Sequence, residues 1–338
     1  MSHGLTVSVL GAGNWGTTLA HLIASNGHSV RLWMRDEARA AQVNETGTSL
    51  SVPGLELSSG VRALTDLGDA VSDATLVVMA LPSQAFREVC RQLGECLRPD
   101  QPVVHGSKGL ELDTFRRMSE ILVEETCARQ IGVLSGPNIA AEVARGSPAG
   151  TVIASGFPAI VALVRTVLAS AQLKVFSSTD VVGVELCGAL KNVVAVAAGM
   201  VDEMHLGDNA MALLITRGMS ELMRLAFAMG AEPLTLAGLA GIGDLIVTCQ
   251  SPLSRNHRIG VALARGQGLD TAMAQLGMVA EGVHASRAAR ALAAAHGLEM
   301  PLFASVDRVL HEGLTPAEAL AELMRLPAGR DAPLSWGQ

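Results

Sequence analysis

The residue whose setting most needs explaining is Lys191. It lies in the middle of an apolar, helix-patterned stretch, with Val181, Val182, Val184, Leu186 and Leu190 before it and Val193, Val194 and Val196 after. A lysine rarely sits deep in such a helix unless it is paired or functional. Desolvation lowers a lysine's pKa, which makes the amine a usable proton donor and acceptor near neutrality. The other reading is a lysine on the polar side whose ammonium snorkels to water. A carboxylate suited to it stands at Asp244, after the glycine-rich run Leu239-Ala240-Gly241-Ile242-Gly243. Thr248 follows four residues later, so on a helix the two share a face. Asp244 can bind a substrate hydroxyl or hold the ammonium, and it would serve equally well as a helix N-cap.

A third constellation is Ser251-Pro252-Leu253-Ser254-Arg255-Asn256-His257-Arg258, ahead of a helical segment at 259–264. With Ser254 as N-cap, the backbone N–H groups that follow stand at a free helix end. Such an end with an arginine beside it suits a phosphate group. The alternative is an exposed basic loop without a ligand.

The elements that must position these groups begin at the N-terminus. Residues 5–10 read as a short apolar strand that runs into Gly11-Ala12-Gly13-Asn14-Trp15-Gly16. A helical segment follows at 17–25, stopped by Asn26-Gly27, and a second β-rich run at 29–34 comes next. Glycines at this spacing between strand and helix allow a tight turn, close approach of a pyrophosphate to backbone N–H groups, and close helix–strand packing. This predicts a dinucleotide-binding domain. Further strand-like runs at 75–80, 102–105, 130–134, 149–154 and 173–176 alternate with helical spacing such as that at 84–97. That alternation implies a doubly wound sheet whose loops gather at the strands' carboxyl ends. Lys108, between Gly106 and Gly109 just past one such strand, falls where cofactor and substrate should meet.

From about residue 180 the pattern becomes long and helical, at 180–200 and 208–229, which sets the domain boundary near Ser178-Thr179. The apolar stretch 209–218 reads as core, and the alanine-biased 285–295 as a tightly packed helix. Past residue 326, Pro327, Gly329 and Pro333 are turn-formers, so a frayed tail is expected.

Bulk properties limit the classes. A chain of 338 residues has room for two cores, and 49% hydrophobic against 17% charged residues excludes a disordered chain. A net charge of −7 argues against nucleic acid or an anionic membrane as main partner. No uninterrupted apolar run approaches the ~20 residues of a bilayer span, and no signal peptide is apparent. The five cysteines are an odd number without a C-x-x-C pair, which reads as reduced thiols in a cytoplasmic protein. The nine histidines show no ligand spacing, so no metal is expected.

Taken together these segments resemble the bacterial, NAD(P)-dependent glycerol-3-phosphate dehydrogenases, over essentially the whole chain. The motifs that carry the resemblance are Gly11-Ala12-Gly13-Asn14-Trp15-Gly16, Ser107-Lys108-Gly109-Leu110-Glu111, Ser135-Gly136-Pro137, Glu185-Leu186-Cys187-Gly188-Ala189-Leu190-Lys191-Asn192, Gly241-Ile242-Gly243-Asp244-Leu245, Ser254-Arg255-Asn256 and Val279-Ala280-Glu281-Gly282. The resemblance implies an α/β fold: a Rossmann-like doubly wound sheet over 1–178 and an all-α, 6-phosphogluconate-dehydrogenase-like substrate domain over 179–338. It implies reversible reduction of dihydroxyacetone phosphate to sn-glycerol 3-phosphate, a precursor of phospholipids, and a homodimer. By resemblance Lys191 is the acid/base residue, with Lys108, Asn192, Asp244 and Thr248 around the carbonyl and hydroxyls. Ser254, Arg255 and Asn256 would take the phosphate, and Gly136 and Asn138 would lie beside the substrate. Gly11, Gly13, Asn14, Trp15, Gly16, Arg35, Lys108, Ala140, Arg255, Val279 and Glu281 would touch the cofactor. Two positions depart from the family pattern: Asn138 replaces a serine or threonine, and Asn14-Trp15 replaces serine with tyrosine or phenylalanine.

The second β-run ends Trp33-Met34-Arg35-Asp36. Arg35 is placed to accept a 2′-phosphate, which favours NADP, while Asp36 could bind ribose hydroxyls and admit NAD. Two other readings compete. One is a related dehydrogenase of the hydroxyacyl-CoA or ketopantoate type, which does not require Ser254-Arg255-Asn256 together with Asp244. The other is a nucleotide-sensing protein without chemistry, which needs no lysine in an apolar helix.

Overall fold

The computed structural model describes residues 4–276 and 280–327, so Val279 and the expected frayed tail from 328 onward lie outside the described residues. The chain forms two compact units: one up to Glu111 together with Arg116–Val181, the other Leu112–Phe115 together with Val182 onward.

The first unit is built on eight strands: β1 Thr6–Leu10, β2 Ser29–Trp33, β3 Val61–Leu64, β4 Leu76–Met79, β5 Val103–His105, β6 Ile131–Ser135, β7 Ala149–Ala154 and β8 Leu173–Ser178. They form one sheet in the order β3-β2-β1-β4-β5-β6-β7-β8. Every pairing is parallel except β6 with β7. The helices are α1 Asn14–Ser25, α2 Glu37–Thr46, α3 Leu67–Val71, α4 Ser83–Gly94, α5 Met118–Glu125, α6 Ala140–Ala144 and α7 Pro158–Leu168.

Strand side chains alternate between two apolar layers, which is why the central strands read as continuous apolar runs. Val7, Val9, Leu76 and Val78 face a layer that includes Leu19, Ile23, Ile160 and Val164. Leu10, Val77 and Met79 face the opposite layer, with Phe86, Val89, Leu93, Met118 and Ile121. Strand β3 was not expected from the sequence. It is a four-residue edge strand with only Ala63 fully buried, so neither alternation nor a long apolar run announces it.

The second unit is helical: α8 Val181–Glu203, α9 Asp208–Ala228, α10 Pro233–Leu236, α11 Asp244–Gln250, α12 Arg255–Ala264, α13 Leu269–Leu276, α14 Glu281–Ala295, α15 Pro301–His311 and α16 Pro316–Arg325. A π-helical turn, Leu239–Gly243, leads directly into α11. By length and mean composition α8 and the stretch Pro233–Gln250 could cross a membrane, although neither is an uninterrupted apolar run. Every residue from Gly183 to Met200 is instead buried, and Glu185, Lys191 and Asn192 lie among them. Helix α12 approaches α8 backbone to backbone. A Cβ on Gly199 would meet His257 O at 1.9 Å, and one on Gly260 would meet Val196 O at 1.9 Å.

Two features of α9 correct or extend the sequence reading. The expected core stretch at its start is largely open: Leu213 is 52% exposed, and between Asn209 and Gly218 only Leu214 and Gly218 are buried. Farther along, Glu221 is buried and accepts hydrogen bonds from Leu302 N (3.0 Å) and Phe303 N (3.1 Å), capping α15 from a neighbouring helix. Burial pushes the Glu221 carboxyl above its ordinary value, and these two N–H groups pull it back only in part. A raised folded-state pKa adds stability that is complete below the unfolded value and is lost as pH rises through the folded value. The wild type should therefore lose stability relative to Glu221→Gln as pH rises from about 4.5 towards neutrality. Urea unfolding of both proteins across that range checks this, and a constant difference would contradict it.

Candidate active site

In the first unit the glycine loop has the shape that the motif predicts. Gly11 has φ +110°, and a Cβ there would meet Ala80 O at 2.5 Å; one on Gly16 would meet Gly11 O at 1.9 Å. These glycines let strand, loop and α1 close on one another. At Gly13 a Cβ would meet nothing within 4 Å, and no side chain caps α1 there. The start of α1 thus carries no side-chain cap and leaves room beside Gly13, an arrangement that fits a pyrophosphate. Asn14 is exposed, and Trp15 lays its indole against Gly106, where a Cβ would come within 2.8 Å of Nε1. Ala140 opens α6, and its carbonyl lies 3.4 Å from the Thr18 hydroxyl of α1.

Beyond the end of β2, Arg35 is exposed, whereas Asp36 is engaged. Its carboxylate caps α2 by accepting from Arg39 N at 3.0 Å. A residue unmarked in the sequence, Ser51, also reaches the loop, and Arg39 bonds to it in turn. Ser51 Oγ donates to Ala12 O at 2.5 Å, and Arg39 Nη2 donates to Ser51 Oγ at 3.2 Å. Nothing in residue spacing ties either to the glycine motif.

At the carboxyl ends of β5 and β6, Lys108, Gly136 and Asn138 come together. Lys108 Nζ donates to Gly136 O at 3.2 Å, and Asn138 Nδ2 donates to Gly150 O at 3.0 Å. Asn138 Oδ1 is buried and has no hydrogen-bond partner among the described residues, while a Cβ on Gly136 would come within 3.4 Å of it. A hydroxyl on a bound ligand is what such an oxygen would accept from.

The second unit holds the acid/base candidates. Lys191 is buried, so the snorkelling alternative does not apply. Its ammonium forms an ion pair with the Asp244 carboxylate and donates to Thr248 Oγ1 at 2.6 Å. Thr248 in turn donates to Asp244 O at 2.6 Å. The shared face of Asp244 and Thr248 is therefore real. The N-cap role for Asp244 is not: the π-helical turn continues straight into α11, Gly243 holds the N-cap position, and the Asp244 carboxylate pairs with Lys191. Such turns recur at functional sites because they re-aim side chains. Close by, burial pushes the Cys249 thiol up to about 12, with Asp244 adding to the rise and Lys191 opposing it. A neutral thiol in that setting is no nucleophile.

Ser254 caps α12 as expected, its Oγ accepting from His257 N at 3.3 Å. Arg255 is exposed at the first position of that helix. Asn192 and Asn256 are buried and bonded to each other, Asn256 Nδ2 donating to Asn192 Oδ1 at 2.9 Å. The Asn192 amide thus joins Asn256, not the Lys191 cluster. Glu281 is the first residue of α14, while Val279 lies outside the described residues.

Comparison with known proteins agrees with both units. The family model for the NAD-dependent glycerol-3-phosphate dehydrogenase N-terminus matches residues 6–160, and that for the C-terminus matches 180–321. A glycerol-3-phosphate dehydrogenase [NAD(P)+] from Moorella thermoacetica is 45% identical over 323 residues, which cover 95% of this chain and 96% of the relative. Among solved structures, glycerol-3-phosphate dehydrogenase from Coxiella burnetii superposes with a TM-score of 0.91 at 35% identity, covering 96% of this chain and 99% of that one. The enzyme from Saccharomyces cerevisiae gives 0.83 at 27% identity, covering 94% and 99%.

Proposed function

The chain belongs to the NAD-dependent glycerol-3-phosphate dehydrogenase family, and from that premise we infer how its residues carry out the reaction. It is an NAD(P)-dependent oxidoreductase that reversibly reduces dihydroxyacetone phosphate to sn-glycerol 3-phosphate, the step that supplies glycerophospholipid synthesis. The observation that carries the residue-level reading is the buried Lys191–Asp244 pair with Thr248 against the amine.

When bound, the reduced nicotinamide supplies a hydride to the ketone carbon, and negative charge then develops on the ketone oxygen. Lys191, as ammonium, stabilises that charge and delivers the proton; in the oxidative direction the amine removes it. Asp244 holds the ammonium in place, and Thr248 fixes the direction in which it points. Arg255 and the first N–H groups of α12 bind the phosphate, which restrains the rest of the molecule. Ser254 serves that site as the cap that shapes the helix end. Lys108, Asn192, Asn256, Gly136 and Asn138 complete the substrate contacts, the orphaned Oδ1 of Asn138 accepting from a hydroxyl. Gly11, Gly13, Asn14, Trp15, Gly16, Ala140 and Glu281 contact the cofactor, and Val279 is proposed with them from the sequence alone. We propose dinucleotide binding for the domain that the sequence places up to 178 and substrate binding for the helical domain after it; the compact units themselves divide at Val181. We further propose a cytoplasmic homodimer, for which light scattering supplies the test of assembly.

Following NADPH absorbance with dihydroxyacetone phosphate, acetoacetyl-CoA, ketopantoate or no addition tests the function. Oxidation is expected with the first alone; turnover with ketopantoate or acetoacetyl-CoA instead, or with none, would overturn the assignment.

NADP is the proposed preferred cofactor. The Asp36 carboxylate already serves α2 as its cap, and Arg35 beside it is exposed and able to pair with a 2′-phosphate. Arg35→Ala should raise KM for NADPH by roughly 10-fold or more, the worth of a charge-assisted phosphate contact, and change KM for NADH less than about 2-fold. Equal losses with both cofactors would remove Arg35 from discrimination.

A further inference from the structure

Lys108 reaches Gly136 from a short loop that is anchored on both sides of it. On one side, Ser107 Oγ accepts from Leu81 N at 2.9 Å. On the other, Gln84 Nε2 donates to Leu110 O at 3.0 Å. Arg87 then grips Glu111 with two parallel bonds, Nε to Oε1 at 2.7 Å and Nη2 to Oε2 at 2.8 Å. Gln84 and Arg87 are three apart on α4 and so share a face, and Leu81 stands just before that helix. Ser107 and Leu110 are buried, and Glu111 N donates to Arg116 O at 3.0 Å. Between the anchors lie Lys108 and Gly109, and Gly109 takes φ +139°. All of these residues belong to the first unit.

Arg87 does more than form one ion pair. It also donates to Glu124 Oε2 at 2.8 Å and pairs with Glu125, both on α5, so a single guanidinium joins α4, α5 and the Lys108 loop. These carboxylates push it above its ordinary pKa, with the Glu111 hydrogen bond as the largest cause. An isolated exposed pair would hold little, but a two-pronged contact inside a network, with Arg87 20% and Glu111 16% exposed, fixes a geometry. We propose that Arg87 is a positioning residue: by gripping Glu111 it fixes the 107–111 loop, and with it the ammonium of Lys108 beside Gly136. The proposal rests on the reading of Lys108 as a substrate and cofactor ligand, and it adds what holds that lysine in place.

Displacements near 1 Å lower turnover by about 100-fold, and Ser107 and Gln84 would still restrain the loop. Arg87→Ala is therefore expected to lower kcat/KM for dihydroxyacetone phosphate, at saturating NADPH, by about 10- to 30-fold. Lys108→Ala should cost at least about 100-fold, and adding Arg87→Ala to it less than about 3-fold more, because the group being positioned is already gone. Glu111→Gln serves as the second variant should Arg87→Ala not fold, since it leaves Arg87 with Glu124 and Glu125; a loss of the same size is expected. It also separates positioning from mean charge. Removing a cation and removing an anion should shift the capture of an anionic substrate in opposite directions, whereas a displaced loop lowers kcat/KM in both variants. Arg91→Ala, which removes an exposed α4 contact to Glu125, should stay within about 2-fold of wild type. Opposite shifts from Arg87→Ala and Glu111→Gln, or melting temperatures lowered with kcat/KM kept, would overturn the proposal. An impaired Lys108→Ala whose loss multiplies with that of Arg87→Ala strikes this inference alone. An unimpaired Lys108→Ala strikes the reading of Lys108 and this inference with it.

Discussion

Lys191→Ala is expected to lower kcat by at least about 10⁴-fold while leaving NADPH affinity unchanged. Two contributions are lost together. Proton transfer by a positioned group is worth about 10²–10⁴. Stabilisation of a developing oxyanion by one preorganised donor adds about 10²–10³. Both belong to one nitrogen, which is buried and directed by Asp244 and Thr248. Cofactor affinity should survive because the glycine loop belongs to the other compact unit. Lys191→Arg is the informative companion: it keeps a cation but cannot release a proton near neutrality, so it should recover little. Initial rates with NADPH, with affinity from fluorescence titration, check the expectation. Near-normal turnover by the alanine variant would remove Lys191 from the chemistry.

Asp244→Asn should lower kcat by about 10²–10³-fold and destabilise the protein by about 3 kcal/mol. The substitution conserves volume, so no cavity contributes; what changes is the negative charge beside a buried ammonium. The surroundings make that charge important, because the same helix holds Cys249, whose thiol is pushed up to about 12 chiefly by burial. Removing one partner of a buried pair typically costs about 3–5 kcal/mol. The amine would also lose the anchor that fixes its direction. A thermal melt and a kcat measurement on the same preparation separate the two effects. A variant with wild-type kcat and wild-type melting temperature would show that the pair is incidental.

Much of the fold was legible because its determinants are local. The glycine spacing at 11, 13 and 16 depends on a turn and two close approaches within a few residues. Buried parallel strands such as β4 declare themselves as unbroken apolar runs. Strand β3 escaped because an edge strand with one fully buried residue carries no such signal. The start of α9 misled for the opposite reason: an apolar composition does not say which elements come to cover it, and Leu213 is left exposed.

The candidate site divides along the same line. Residue types and short spacings were enough to single out a lysine in an apolar helix, a carboxylate after a glycine run and an N-cap serine before an arginine. Lys191 and Asp244 are 53 residues apart, Asn192 and Asn256 are 64 apart, and Glu221 and Leu302 are 81 apart. No periodicity reaches across such distances. Helical and strand periods record only which face a side chain occupies on its own element. Which side chain meets it from elsewhere depends on how the helices pack, here on glycines that bring α8 and α12 into backbone contact. Tertiary structure alone thus decided that Asp244 pairs with Lys191 instead of capping a helix. It also decided that Asn256 Nδ2 meets Asn192 and that Asn256 Oδ1 accepts from Gly282 N–H.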